Sequence, residues 1–206
     1  MSYSGYITTQ RPKAYWPMQE TSGTLATDAT GNGRDATYVN PTFTAGGILV
    51  DGDPAASQVS FNGSSAYLQL PLGMATSNNF TLCGWFRNTS STGFRQICGV
   101  PRGAFSDSSG NLTCAPGIYC VFNSNFEYRL VSFFGESPME VAQTAAVPSD
   151  ATNQHFFCVV ASGNSVSLYI DAALIATTSN SSNQLTLPSS SKPIVVGASY
   201  FAGNVA

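Results

Sequence analysis

Charged residues are scarce in this chain of 206 amino acids: Asp, Glu, Lys and Arg make up 9% of it, against about 25% in a typical soluble domain. The net charge is −3, and the cationic residues form no cluster beyond the spaced pair Arg11 and Lys13. Binding of nucleic acid needs a basic footprint that neutralises phosphates, so the composition argues against nucleic-acid partners. A surface of mostly Ser, Thr, Asn and Gln suits a protein that packs into a dense assembly or binds neutral ligands.

Long apolar runs are also missing. No stretch of about 18 apolar residues could span a membrane, and the polar N-terminal residues lack the apolar segment of a secretory signal peptide. The sequence therefore predicts no membrane association, with synthesis in the cytosol or export by a route that the chain does not encode.

Candidate catalytic groups are few. His155 is the only histidine, so any Ser-His-Asp or Cys-His mechanism would have to use it, and its place at the start of an apolar run predicts a structural role instead. Glycosidases need two carboxylates that flank the sugar bond. Glu136 and Glu140 have Pro138 between them, and Asp171 stands alone. We expect that the chain is not an enzyme.

Five cysteines are an odd number. Cys83, Cys98 and Cys158 each lie inside an apolar run and are predicted to be buried as small hydrophobic side chains. Cys114 and Cys120 flank a short segment with Pro and Gly, and they could form a disulfide in an oxidising compartment. No spacing of Cys and His resembles a zinc site.

Residues 155–178 indicate the fold class most clearly. An apolar run and a Ser-Gly-Asn turn are followed by strict alternation, which places Val166, Leu168 and Ile170 on one face of a strand. No segment of the chain shows a convincing helical period, and clusters of turn-forming residues separate many short strand-like segments. The sequence predicts an all-β protein, an antiparallel β-sandwich.

The whole chain, residues 1–206, is predicted to be a single domain with an N-terminal arm at 1–13. Besides the meander at 155–178, strands are predicted at 14–18, 36–39, 57–61, 66–70, 79–88, 94–100, 117–122, 127–134, 140–146, 185–187 and 194–198. The expected pairings are 57–61 with 66–70, 79–88 with 94–100, and 117–122 with 127–134, and a long loop is expected at 101–116.

Four segments, in this order, resemble the laminin-G-like and concanavalin-A-like jelly rolls. They are AYWPMQETSGTLATDATGNGRDATYV, VSFNGSSAYLQLP, NFTLCGWFRN, and HFFCVVASGNSVSLYIDAALIA followed by KPIVVGA. The resemblance implies a jelly-roll sandwich of the lectin type.

Two features depart from the family pattern. The meander turns on Asp171-Ala172 where the family usually has Asp-Gly, and because Ala tolerates a positive φ poorly, we expect another type of turn. The family's last strand is only begun at residues 201–206, so we expect either that the chain is shortened before that strand or that a neighbouring subunit covers the open edge of the sheet.

The opening MSYSGYI, which enters this domain at once, also resembles the start of tailed-phage virion proteins. That resemblance implies a position on the virion surface, association with other virion proteins of the capsid or tail, and a homo-oligomer.

The jelly-roll resemblance implies candidate site residues as well. Proteins of this type often bind calcium, and Asp28, Asn32 and Asp35 cluster in a Gly-rich loop with the oxygen ligands that calcium prefers. The same side chains could instead form Asx turns. The aromatic candidates for stacking on a sugar are Phe105, Tyr119, Phe126, Tyr200 and Phe201, although most aromatic side chains of such a sandwich belong to its core.

The leading hypothesis is a non-enzymatic virion surface protein, either a capsid decoration or a fibre-type component, whose jelly roll attaches to the particle and touches glycans. The alternative is a carbohydrate-binding module of a bacterial surface or secreted protein. A glycosidase is a third hypothesis, which would require a pair of carboxylates in a cleft. None of these requires a cofactor, and calcium is the one candidate.

Overall fold

A computed structural model describes residues 2–45, 57–62, 65–74, 76–87, 95–99, 105–106, 112–113, 119–122, 128–133, 139–143, 153–181, 193–197, 200–201 and 204–205. Between 105 and 143 and from 200 onward, the description is of the backbone and its pairing.

The described chain begins with a short helix and continues in strands. The elements are α1 (Tyr3–Thr9), β1 (Leu25–Ala26), β2 (Ala36–Val39), β3 (Thr42–Ala45), β4 (Ser57–Ser60), β5 (Tyr67–Gln69), β6 (Asn79–Arg87), β7 (Arg95–Gly99), β8 (Phe105–Ser106), β9 (Leu112–Thr113), β10 (Tyr119–Phe122), β11 (Tyr128–Phe133), β12 (Met139–Gln143), β13 (Gln154–Ser162), β14 (Ser165–Ile170), β15 (Ala173–Ser179), β16 (Val195–Val196), β17 (Tyr200–Phe201) and β18 (Asn204–Val205).

Within the described residues, the strands form two larger antiparallel sheets and three separate strand pairs. One sheet has the order β1-β2-β5-β16-β7-β10-β11-β12, and the smaller sheet has the order β15-β14-β13-β6. Ile97 and Cys98 of the larger sheet share a buried cluster with Val159, Val166 and Leu168 of the smaller one. The core therefore lies between the two sheets, which confirms the predicted antiparallel β-sandwich.

The meander predicted at 155–178 is confirmed. β13, β14 and β15 follow one another as antiparallel neighbours, and β6 pairs with β13 along its whole length, from Asn79 opposite Ser162 to Arg87 opposite Gln154. The hairpin predicted between 117–122 and 127–134 is confirmed as β10 with β11, and β12 forms in the predicted region beside β11.

Two predicted pairings are wrong. β5 lies between β2 and β16, so both of its edges are occupied and it forms no hairpin with β4, which pairs with β3. β7 lies between β16 and β10 in the larger sheet and not beside β6. In both cases strands that are consecutive in sequence enter different sheets: β4 joins the separate pair with β3, whereas β6 and β7 lie in opposite layers of the sandwich.

The N-terminal region also differs from the prediction. Residues 14–18 form no strand, because Met18 has a φ of 57°, outside the extended region, and the backbone N–H of Tyr15 donates to Asp28 Oδ1 at 3.0 Å. The arm at 1–13 contains α1, whose first turn is capped by Ser2 Oγ, which accepts from the Gly5 N–H at 3.1 Å. This helix has seven residues, too few to produce a helical period in the sequence.

The turn between β14 and β15 is not of the type expected from its Ala. Asp171 and Ala172 have φ values of 49° and 67°, the two positive values of a type I′ hairpin turn. The chain therefore keeps a two-residue turn with Ala at a position that favours Gly, at a cost of roughly 1 kcal/mol.

The remaining predictions concern the last part of the chain and the long loop. The strand predicted at 194–198 is present as the shorter β16, β8 pairs with β9 inside the segment expected to be a loop, and β17 pairs with β18. The strand predicted at 185–187 lies outside the described residues, and coverage of an open edge by another subunit stays a prediction. In the described part of the chain, no helix has the length and apolar character to cross a membrane.

Candidate functional site

The outer face of the smaller sheet carries large side chains that the core does not cover. In β6, Leu82 and Phe86 pack against the core, so the alternation of a strand turns Trp85 toward solvent. In β13, every second residue from His155 to Ala161 is buried, and Phe156 therefore faces outward as well. The alternation that places every second side chain in the core therefore places the side chains between them on this outer face.

Trp85 and Phe156 form the centre of this face. They are directly opposite each other in the ladder between β6 and β13, and their ring centroids are 5.2 Å apart at an interplanar angle of 58°. Trp85 keeps 39% of its surface exposed. Its indole Nε1–H donates to Tyr3 Oη of α1 at 3.2 Å, so the helix fixes one end of the indole while part of the ring stays open.

The next row across the sheet extends the apolar surface. Cys158 lies opposite Cys83 on one side and opposite Tyr169 on the other, and Tyr169 lies opposite Leu174 of β15. Leu174 is 58% exposed. We call Trp85, Phe156, Tyr169 and Leu174 the outer-face platform.

Small hydroxyl side chains border the platform. The following row contains Thr81, Ser167 and Thr177, and the hydroxyls of Ser167 and Thr177 are 3.0 Å apart. Among the outward-facing residues of these four described strands, Arg87 is the only charged one. An apolar platform beside hydroxyl groups, with almost no charge, has the chemistry to hold a flat neutral ligand with polar edges.

His155 and Asp171 form a bonded pair at the end of the same sheet, so the prediction that Asp171 stands alone is wrong. His155 Nδ1 is 2.6 Å from Asp171 Oδ2, and the Phe156 N–H donates to Asp171 Oδ1 at 2.9 Å. An ionised carboxylate can only accept, so Nδ1 carries the hydrogen. Because His155 is only 4% exposed, it holds the turn at Asp171 in place and does not face a ligand.

The pKa of Asp171 reflects this arrangement. Partial desolvation raises the pKa, but the hydrogen bonds from His155 and Phe156 and the charge of His155 together lower it by more, so the pKa lies below its ordinary value. The carboxylate is therefore ionised at neutral pH and remains an acceptor for both donors.

Asp28 is the centre of a second network, in the Gly-rich loop. Its Oδ1 accepts from the N–H of Tyr15 and from the N–H and Oγ1–H of Thr30, and its Oδ2 accepts from the Arg34 N–H. Asp28 is 6% exposed. Burial raises its pKa, but these hydrogen bonds lower it by more, and the pKa lies below its ordinary value. These are the contacts of Asx-type turns.

The other two calcium candidates take part in the same loop in different ways. Asp35 Oδ1 accepts from the Asp28 N–H at 2.8 Å, whereas the side-chain amide of Asn32 donates to the Lys13 carbonyl at 3.2 Å. In the part of the chain that the structure describes, no group of three or more His, Cys, Asp or Glu side chains is placed to hold a metal ion. Calcium binding at this loop stays a prediction.

The remaining site predictions fall where side chains are not described. The backbone of Phe105, Tyr119, Tyr200 and Phe201 lies in β8, β10 and β17, and that of Cys120 lies in β10. Phe126 and Cys114 lie outside the described residues, as does Glu136. The prediction that Cys98 is buried is confirmed, but Cys83 is exposed and Cys158 only partly buried, because both lie on the outward side of their strands.

Trp85 and Phe156 are not among the site residues predicted from the sequence. The alternation in NFTLCGWFR contains the signal, since it places Trp85 on the face opposite Leu82 and Phe86. That Phe156 lies beside Trp85 depends on the register between β6 and β13, which the local pattern does not reveal.

The stacked antiparallel sheets and the order of their strands define a sandwich of the concanavalin-A-like type. Residues 62–206 match the family described as the concanavalin A-like lectin/glucanases superfamily, and the chain belongs to this family. No curated protein matches the chain in sequence.

Two solved structures illustrate the shared fold. Domain 4 of AbnA, an extracellular arabinanase from Geobacillus stearothermophilus solved in complex with arabinotriose, has a TM-score of 0.59 at 16% identity, and the match covers 86% of this chain and 80% of that one. The binding domain of Paraclostridial Mosquitocidal Protein 1 has a TM-score of 0.51 at 13% identity, and the match covers 84% of this chain and 44% of that one.

Proposed function

We propose that this chain is a non-catalytic carbohydrate-binding module of an extracellular or surface protein, and that it binds a neutral glycan on the outer-face platform. The observation that carries the proposal is the pair formed by exposed Trp85 and the outward-facing, partly buried Phe156, whose ring centroids are 5.2 Å apart, in a fold of the lectin and glucanase type. Domain 4 of AbnA, which has the same fold, was solved with arabinotriose bound.

The platform suits a sugar ring for a physical reason. A pyranose or furanose has an apolar C–H face and polar hydroxyl edges. An aromatic ring is a large apolar surface that can cover the C–H face and leave the hydroxyl groups free to form hydrogen bonds. The hydroxyls of Thr81, Ser167 and Thr177 then lie beside the platform as hydrogen-bond partners for the edges. Ligand sites commonly combine an apolar floor with a few polar groups of this kind.

The charge of the face favours a neutral sugar over an acidic one. Arg87 is the single charged residue among the outward-facing residues of the four described strands, and its Nη2 donates to Gln58 Oε1 at 3.3 Å. The carboxylate of an acidic sugar is held best by a guanidinium or ammonium group, and this face supplies one such group, which already donates to Gln58.

A glycan array tests the proposal. The wild-type chain, with and without calcium, should bind a subset of neutral oligosaccharides, and Trp85→Ala should weaken that binding about tenfold or more. Leu72→Ala is the matched control, since Leu72 is a large side chain 56% exposed on a turn outside this sheet. If no glycan binds the wild-type chain, or if Trp85→Ala binds as well as the control, the platform is not a glycan site.

The hypothesis of a virion surface protein stays a prediction, together with its virion partners and its homo-oligomer. Domain 4 of AbnA, solved with arabinotriose, supports glycan binding more directly than particle assembly. A particle-surface role would require the chain to co-purify with a particle in fixed stoichiometry, which mass spectrometry of the intact assembly measures.

A further inference from the structure

A pair of cysteines faces out of the smaller sheet beside the platform. Cys83 of β6 and Cys158 of β13 are direct partners in the antiparallel ladder. Both are free thiols, Cys83 exposed and Cys158 partly buried. Side chains of directly opposed residues lie on the same face of the sheet, so the two sulfurs are on one surface with no backbone between them.

The ladder places this pair within reach of a covalent bond. Directly opposed residues of an antiparallel pair have Cα atoms about 4.5 or 5.5 Å apart, and both values lie within the 4.4–6.8 Å that disulfides span. Their Cβ atoms are typically about 4.5–5.5 Å apart and must approach to about 3.8 Å. In the described structure β6 pairs with β13 alone, so β6 can make this small adjustment without breaking a second ladder.

The surroundings of the two thiols slow their reaction with an exchange partner. Partial desolvation raises the pKa of Cys83, and desolvation together with the proximity of Cys83 raises the pKa of Cys158. The thiolate fraction at neutral pH is therefore small, and thiol exchange is slow. Cys98, by contrast, is fully buried in the core.

We propose that Cys83 and Cys158 are a redox modification site, which closes to a reversible cross-strand disulfide by exchange with a small-molecule disulfide such as oxidised glutathione. The thiolate of exposed Cys83 attacks one glutathione sulfur and releases the first reduced glutathione. The thiolate of Cys158 then attacks the Cys83 sulfur and releases the second. Two protein thiols are oxidised, one glutathione disulfide is reduced, and the two protons pass to the released glutathiones.

The closed bond has a structural consequence. It links two strands that are far apart in the chain, and a disulfide that closes a long loop removes more freedom from the unfolded chain than one that closes a short loop. It also ties together the two strands that carry Trp85 and Phe156. The oxidised module is therefore the more stable form, and an oxidising compartment selects it.

The full-length chain tests this proposal without substitution. It is incubated for many hours in oxidised or reduced glutathione, its remaining thiols are alkylated under denaturing conditions, and its peptides are mapped by mass spectrometry. The expected result is a cross-linked peptide that joins Cys83 to Cys158, reversed by dithiothreitol, with a rise in Tm of roughly 5–15 °C. Cys83→Ser and Cys158→Ser should each abolish both the cross-link and the rise.

Three results would overturn the proposal. The two cysteines could remain fully alkylated in oxidised glutathione, or each could carry a glutathione with no link between them. The map could also join either one to Cys114 or Cys120. In the same peptide map, a disulfide between Cys114 and Cys120, which is a prediction from the sequence, would give a different cross-linked peptide.

Discussion

The two faces of the smaller sheet differ in what their side chains do, although one backbone builds both. On the inner face, Val159, Val166 and Leu168 are 0% exposed, whereas on the outer face Trp85 and Leu174 keep 39% and 58% of their surface exposed. Burial of an aliphatic side chain stabilises a fold by about 1.5–3 kcal/mol. The inner face therefore contributes stability, and the outer face leaves apolar surface available for a ligand.

The largest stability effect is expected at Leu168, which is fully buried on the inner face. Leu168→Ala should lower the free energy of unfolding by about 2–5 kcal/mol, because it leaves a cavity between the sheets. Ser167→Ala, one residue away on the outer face, should change it by no more than about 0.5 kcal/mol. Denaturant unfolding of both variants measures the difference, and similar losses would mean that the two faces are not separated as described.

Two glycines, one packed against a side chain and one in open space, allow a similar comparison of packed and open positions. Gly197 has a φ of 90°, and a Cβ there would lie 2.4–2.8 Å from three atoms of Phe61, whereas Gly163 has a φ of 61° and nothing within 4 Å. Gly197→Ala should cost about 2–4 kcal/mol from overpacking and backbone strain, and Gly163→Ala about 1 kcal/mol from strain alone. Equal shifts in the denaturation midpoint would show that Phe61 does not pack against Gly197.

At the edge between the faces, Asp171→Ala removes the acceptor of His155 and Phe156. The expected loss is about 1 kcal/mol, since Asp171 is half exposed and solvent screens its interactions. The folded pKa of Asp171 is lowered from 3.8, so its contribution is complete above that value and disappears as the pH falls through the folded pKa.

The pH dependence of this variant provides the check. The difference in unfolding free energy between wild type and Asp171→Ala should be present at pH 5 and above and should narrow below about pH 4, as the carboxylate of Asp171 is protonated. Asp171→Asn serves as a control that retains an acceptor for the Phe156 N–H. A difference that is independent of pH down to acid unfolding would show that the carboxylate charge plays no part.

A substitution at Ala172, next to Asp171, is expected to increase the stability of the protein. Ala172 has a φ of 67°, and Ala172→Gly should relieve the strain and stabilise the protein by about 0.5–1 kcal/mol. Ala173→Gly, one residue further in β15, should destabilise it, because glycine in a strand only adds freedom to the unfolded chain. A rise in Tm for the first and a fall for the second would confirm the type I′ turn, and a fall for both would contradict it.

Only a small loss of stability is expected for Trp85→Ala. Trp85 contacts Phe156 and Tyr3 at the surface, and its removal opens no cavity between the sheets. We expect a loss of less than about 1 kcal/mol, measured by the same unfolding experiment as Leu168→Ala. A loss as large as that of Leu168→Ala would mean that Trp85 belongs to the core.

The sequence alone predicted much of the smaller sheet and less of the larger one. The alternation at 165–170 and the turns beside it are local, so the meander β13–β14–β15 could be predicted. The pairing of β5 with β2 and β16, or of β7 with β10 and β16, depends on contacts between distant segments, and local pattern carries no information on which distant segment pairs.

The candidate site, like the two sheets, could be predicted from local sequence pattern only in part. Alternation indicates that Trp85 faces away from the core, but only the register with β13 places Phe156 beside it. His155 and Asp171 approach each other because the β13–β14 hairpin pairs Phe157 with Ile170, the residue just before Asp171. Counting residue pairs along this hairpin from its own turn at 162–165 would have predicted the contact.

The most direct test of a glycan site on the outer-face platform is a titration of wild type and Trp85→Ala with the neutral oligosaccharide that the array selects, alongside the Tm of each protein. We predict saturable binding by wild type and binding at least about tenfold weaker by Trp85→Ala, at a Tm that differs by no more than about 2–4 °C. Equal affinities at equal Tm would contradict a glycan site on the outer face of this sheet.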